Sequence, residues 1–357
     1  MKTTAPSALT TGASSDAAHP RRPIGRLAIL ALLVLITPAL TIIVGPASVP
    51  LSDVIGVIAS HIPGLNVEIT WDRITDAIVW QTRLPRIVSG LGVGAVLGVS
   101  GVVLQAIIRN PLAEPYVLGV SSGASTGAAI AMIMLGATAG WSVGLFAFGG
   151  ALIATMLVLL IAGGSRSTAL HLILAGLAIG FGFQALTNII VFSSDNAETS
   201  RAVMFWTLGS LARTQWSDAL TILVIGLVLA LLMAICGPIL DALGSGDRTA
   251  LAVGVNPVKA RLLLLIPVSG AVAASVAVAG GIGFVGLIIP HVIRHLLGHS
   301  HRVLILGSAL AASLFLVWTD AVARIVFAPA ELLIGVMTGL IGAPFLLVLI
   351  RRLNRGM

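Results

Sequence analysis

Apolar runs broken by short polar segments recur ten times along the chain. They fall at about 27–45, 84–107, 116–136, 142–163, 169–192, 219–237, 260–279, 282–296, 303–319 and 331–350. A helix needs about 20 predominantly apolar residues to cross a bilayer. The pattern therefore predicts an all-α polytopic membrane protein with about ten transmembrane helices. The eighth run is short and interrupted by glycines.

The most informative break runs from Asn110 to Ala124 (NPLAEPYVLGVSSGA), between the second and third runs. It contains Pro111, Glu114 and Pro115. Such groups cost several kcal/mol in hydrocarbon unless protein or water surrounds them. The segment reads as a gate, a hinge or a partner contact. Its prolines and Gly119 suit a hinge into the third span, and Glu114 reads as water- or partner-facing.

Residues 1–23 are rich in Ser, Thr, Ala and Pro and read as a disordered tail. Residues 24–357 read as a single transmembrane domain. The run from Leu27 to Val44 is longer than a signal-peptide core and reads as a retained first span. Two connections are long. Residues 46–82 include the amphipathic stretch from Trp71 to Trp80, and residues 238–259 are polar. Many of the 40 glycines sit at small-x-x-small spacing inside spans, as at Gly90, Gly94 and Gly98, which suits close helix packing.

Composition agrees with the pattern. The chain is 57% hydrophobic and 9% charged, against about 25% charged in a soluble domain. Its mean hydropathy is +1.09. The net charge of +7 divides unevenly between the two sides that ten spans would create. Fourteen basic and four acidic residues fall on the side of the termini, and six basic and nine acidic on the other. By the positive-inside rule both termini are cytoplasmic, so residues 46–82 lie outside and 238–259 inside. Nothing in this distribution suggests a nucleic-acid partner.

Reactive chemistry is sparse. Cys236, the single cysteine, has no partner for a disulfide within the chain and no metal-ligand cluster around it. Neither lysine, Lys2 or Lys259, lies in a phosphate-cradling G-x-x-x-x-G-K-[ST] motif. The span interiors carry Gln105, Gln184 and Asn188 and no clear ionisable residue. Ion coupling would need one near mid-membrane. A permease driven by a separate ATPase is the leading reading, with no cofactor and no metal.

Five segments carry a family resemblance. They are Arg83-Leu84-Pro85-Arg86, Gln105 to Ala124, Phe205 to Leu211 (FWTLGSL), Gly280 to Arg294 (GGIGFVGLIIPHVIR) and Asp320 to Phe345. In this order they resemble the iron-siderophore, haem and cobalamin permeases of bacterial ABC importers, over about residues 27–352. The resemblance implies a type II importer permease in the bacterial cytoplasmic (inner) membrane, with inverted repeats in spans two to five and seven to ten. It implies a second permease copy or paralogue, two cytoplasmic ABC ATPase subunits and an extracytoplasmic substrate-binding protein as partners.

It also implies roles for residues. Arg83, Arg86 and Arg324 would dock acidic residues of the binding protein, although snorkelling at the membrane interface also suits such arginines. Asn110, Pro111 and Leu112 would form a cytoplasmic gate, with Ser167 and Thr168 as a second constriction. Residues 238–259 would form paired short helices that seat in the ATPase, through Gly246, Asp247, Arg248, Thr249, Ala250, Gly254, Val255 and Asn256. Arg248 stands where the family carries an acid. His291 and His295 are spaced i, i+4, but the family motif itself contains Pro-His at this place, and a structural or ATPase-contact role is expected rather than a metal. Asp320 and Arg324, also i, i+4, are expected to pair. The expected function is alternating-access import of an iron chelate, a ferric siderophore or haem, with cobalamin as the alternative cargo.

Overall fold

The computed structural model describes residues 22–65, 67–137, 140–162 and 169–355. Helix α1 (Arg22–Thr41) leads through an irregular stretch to α2 (Leu51–Ser60). Helix α3 (Arg73–Asp76) runs through a π turn at Ala77–Arg83 into α4 (Leu84–Ile108). A 3-10 turn at Pro115–Leu118 precedes α5 (Val120–Ala129), which a second π turn extends over Ile130–Met134. Then follow α6 (Gly140–Ala162), α7 (Ala169–Phe192), α8 (Ala197–Thr207) and α9 (Trp216–Ile235). Two short helices, α10 (Gly237–Gly244) and α11 (Asp247–Ala252), lead into α12 (Pro257–Ala279), α13 (Val285–Leu297), α14 (His301–Ala323) and α15 (Ile334–Arg355).

Among the described residues, eight helices are long and apolar enough to cross a membrane. The shorter apolar helices Val120–Met134 and Val285–Leu297 account for the third and eighth predicted runs. All ten runs are thus helical, and two of them are too short to span alone. Their starts differ from expectation. The third helix begins at Val120 rather than near 116, and the eighth at Val285 rather than 282. Helix α2 lies in the long 46–82 connection. Helix α1 begins at Arg22, just inside the expected tail, while residues 1–21 lie outside the described residues.

Helix α4 is the buried axis, and its glycines explain how. A Cβ on Gly94 would sit 2.5 Å from the Ala312 carbonyl oxygen of α14, and one on Gly101 1.9 Å from that of Gly286 in α13. The backbones therefore touch, which gives the dispersion contact that membrane helices rely on in place of a hydrophobic drive. Large apolar side chains cover the outside instead, such as Leu160, Phe181 and Ile235. That inversion suits hydrocarbon as the solvent.

Helix α4 begins at Arg83 and Arg86 and ends at Arg109, while α14 begins at His301 and ends at Asp320 and Arg324. Because Arg86 bonds to Asp320, the two helices run antiparallel. At 1.5 Å per residue, α4 separates the two ends by about 37 Å. One end is marked by Arg86 and the other by Asp247, which pairs with Arg109.

Candidate functional site

Two chain breaks, 109–119 and 280–284, meet beside α4. A Cβ on Gly286 would lie 2.7 Å from Cδ of Pro115 and 3.0 Å from the carbonyl oxygen of Leu97. The Tyr116 hydroxyl accepts the Ile282 N–H at 2.9 Å. The Glu114 carboxylate accepts the N–H of Phe284. Phe284 has φ 68, a left-handed conformation that is unusual for a non-glycine residue. It caps the start of α13, where free N–H groups and the positive end of the helix dipole favour a carboxylate. Further breaks join the junction. The Ser210 N–H donates to the Ala279 carbonyl at 2.8 Å, and Gly335 packs against the backbones of Leu208 and Gly281.

Glu114 is half-buried, and its carboxylate is engaged by the chain itself as well as partly open. Irregular backbone inside a membrane protein needs acceptors for its N–H groups. Glu114 and Tyr116 supply two. The loop thus brings a half-buried ionisable side chain against the start of α13.

The expected gate residues lie on the Asp247 side of this junction. The Asn110 side-chain oxygen accepts the Leu112 N–H at 2.9 Å, and the Asn110 carbonyl accepts from Ala113 at 3.1 Å. These bonds make a tight turn after Arg109, whose φ is 56. Pro111 is exposed, and Asn110 and Leu112 are half-buried. Ser167 and Thr168 lie outside the described residues.

At the Arg86 end, the three arginines expected to dock a partner or to snorkel are engaged within the chain. Arg83, Arg86 and Arg324 are 4%, 4% and 2% exposed. Arg86 Nε donates to both Asp320 oxygens at 2.8 and 2.9 Å, and Arg86 Nη1 to Glu331 at 2.7 Å. Arg324 Nε lies 3.2 Å from the other Asp320 oxygen, so the expected i, i+4 pair forms. Arg324 Nη1 donates to the Val44 carbonyl at 3.0 Å. Arg83 donates to the carbonyls of Ile42 and Ala47. The unwound chain after α1 thus turns its carbonyls to Arg83 and Arg324. Three guanidiniums face two carboxylates, and Arg324 Nη2 has no partner.

At the other end, α10 and α11 are the paired short helices that the resemblance implies. Gly246 and Gly254, with φ +112 and +80, make the turns on either side of α11. Asp247 is held by Arg109 and by Arg261, both at 2.6 Å. Ala250 is buried, and its carbonyl accepts the Val255 N–H at 2.8 Å. Asn256 caps α12 by accepting from Val258 and Lys259. Arg248 and Thr249 are exposed, together with Leu251 and Val253 at 59% and 63%. Two exposed aliphatic side chains on a polar loop form a surface suited to a protein partner.

Sequence reasoning missed three contacts here. Gln105 donates to the carbonyls of Gly286 and Leu287 at 3.3 and 3.4 Å and accepts from Arg294 at 3.3 Å. The Asp241 carboxylate receives both the N–H and Nδ1 of His301. The rings of His291 and His295 pack edge to face at 5.0 Å. Among the described residues, no group of three or more His, Cys, Asp or Glu is placed to hold a metal ion.

Helix α7 carries an unusual face. Gln184 donates to Asn188 at 3.1 Å, and both amides are exposed within a membrane-length helix. Hydrocarbon is a poor environment for two amides. Beyond α7, α8 lines an open groove of about 460 Å³ with Ala197, Ser200, Arg201, Met204 and Phe205, closed by Leu208.

Comparison with known proteins places this geometry. The model of the FecCD transport family matches residues 30–352. The vitamin B12 import system permease protein BtuC of Salmonella paratyphi A (strain ATCC 9150 / SARB42) is 41% identical over 282 residues, 78% of this chain and 85% of that protein. The same protein of Salmonella typhi is equally similar. A solved inward-facing conformation of a putative metal-chelate type ABC transporter aligns with a TM-score of 0.79 and 32% identity, covering 92% of this chain and 99% of that one. PsaBC from Streptococcus pneumoniae, solved with a Fab, aligns at a TM-score of 0.51 and 20% identity over 74% of this chain and 90% of that one, a likeness of fold alone.

Proposed function

The chain belongs to the FecCD transport family and is the permease subunit of an ABC importer, and we propose that its cargo is a metal chelate of the corrinoid type. The observation that carries this cargo is the 41% identity to vitamin B12 permeases across 85% of their length. An iron chelate is the second reading, carried by the resemblance to iron-siderophore and haem permeases; the 32% identity to a putative metal-chelate type transporter fits either cargo. The chain itself is a transport component of the bacterial inner membrane. ATP hydrolysis belongs to a separate subunit.

The charge asymmetry supports cytoplasmic termini, which puts the Asp247 end inside and the Arg86 end outside. The exposed surface of Arg248, Thr249, Leu251 and Val253 is the seat for the ATPase, with Asp247 fixing α11 to Arg109 and Arg261. Asn110, Pro111 and Leu112 follow Arg109 directly, so a shift of α11 reaches this gate through one ion pair. The exposed Gln184–Asn188 pair suits a pathway between two permease copies rather than a lipid face. Arg83, Arg86 and Arg324 outnumber Asp320 and Glu331, which gives this cluster a local positive charge on an otherwise acidic side, the charge that an acidic binding protein would meet. Transport then proceeds by alternating access, biased by the nucleotide state of the ATPase partners.

Cargo is tested in a bacterial strain that lacks its own corrinoid and ferric-siderophore permeases and receives this chain with its cognate partners. Accumulation of labelled cyanocobalamin supports the corrinoid reading. Accumulation of labelled ferric chelate alone replaces it with the second.

A further inference from the structure

One member of the arginine cluster at the Arg86 end reaches solvent. The side chain of Glu331 is 34% exposed, whereas those of Arg86, Asp320 and Arg324 are 4%, 2% and 3% exposed. Glu331 closes the segment 325–331, exposed throughout, in which Ile325, Val326 and Phe327 lie open. It holds Nη1 of Arg86, while Nε of the same side chain is committed to Asp320. Arg324 flanks the same Asp320 carboxylate and keeps Nη2 without a partner.

The two carboxylates are therefore not equivalent. Asp320 cannot leave without stranding two buried guanidiniums. Glu331 can, because water already solvates part of it and an ion pair at a surface is weakly held. If it left, Arg86 Nη1 would be open to one incoming carboxylate, in a cluster where Arg324 Nη2 already lacks an acceptor. We infer that Glu331 is an exchangeable counter-ion, which occupies Arg86 in the undocked permease and yields it to a carboxylate of the binding protein. The inference rests on the docking role proposed above for these arginines. It explains how arginines with almost no exposed surface can take part in docking. Exchange also keeps docking reversible, since one ion pair replaces another, and reversibility suits a delivery cycle.

The test uses the intact permease–ATPase complex in lipid nanodiscs and its purified cognate binding protein, with affinity read at low and high salt. Glu331→Gln removes the internal competitor and raises the cluster's net charge by one. It is expected to tighten binding about 5-fold or more at low salt, with a steeper loss as salt rises. Glu331→Asp, which keeps the charge but shortens the reach to Arg86, is expected to fall between Glu331→Gln and the native chain. Binding proteins with surface carboxylates changed to amides provide the reference. If those amides weaken binding and Glu331→Gln leaves it unchanged or weakens it, the exchange is wrong while docking stands. If the amides have no effect on binding, the docking reading itself is wrong and the exchange goes with it.

Discussion

The carboxylate of Glu114 accepts the backbone N–H of Phe284, across 170 positions of sequence and inside the helical bundle. This bond ties the break before α5 to the break before α13. Replacing Glu114 with Ala leaves an N–H of the junction without its acceptor, a cost of about 1–3 kcal/mol. The variant is expected to melt earlier in detergent and to hydrolyse ATP without matching uptake. Glu114→Gln keeps an acceptor oxygen and should retain coupling better than Glu114→Ala. Equal transport by both variants and the native chain would remove the junction from the mechanism.

The Asn110 turn should control leakage at the inner end. Leu112→Ala trims the half-buried side chain of that turn, and Asn110→Ala removes the oxygen that holds the Leu112 N–H. Both are expected to make the closed state leaky or to uncouple ATP hydrolysis from uptake. Efflux of cargo trapped in proteoliposomes measures this. Native retention in both variants would return the segment to an ordinary turn.

Asp247→Asn weakens the ion pair between α11 and Arg109, the residue preceding the Asn110 turn. The pairs are partly exposed, so the stability cost is small, about 1 kcal/mol or less. The expected phenotype is kinetic. ATPase binding persists, while stimulation of hydrolysis by the loaded binding protein falls. Unaltered stimulation in Asp247→Asn would show that the coupling runs elsewhere.

Asp320→Asn should behave differently, because it strips buried Arg86 and Arg324 of a shared carboxylate. A loss of about 3–5 kcal/mol is expected, seen as poor membrane yield and a lower melting temperature. A native melting temperature for this variant would contradict the buried network.

The ten helices were legible because runs of about 20 apolar residues have few other uses. The helix break after Asn110 was legible from its prolines, and the Asp320–Arg324 pair from helical spacing. What lay hidden depends on packing between distant segments. Arg86 and Asp320 stand 234 positions apart, and nothing local to either announces the other. The arginines sit at helix ends, where docking or snorkelling suits them, yet carbonyls from the chain after α1 engage Arg83 and Arg324. The acceptor role of Glu114 was hidden for the same reason, since its partner Phe284 lies 170 positions away.

The central claim is that this chain moves a metal chelate only when an ATPase seats on its Asp247 end and a binding protein on its Arg86 end. It is tested most directly in proteoliposomes holding the permease with its cognate ATPase, by measuring uptake of labelled cyanocobalamin and ferric chelate with ATP inside and binding protein outside. One of these chelates is expected to accumulate, and to stop accumulating when ATP, the ATPase or the binding protein is left out. Accumulation driven by a proton or sodium gradient with the ATPase absent would contradict it.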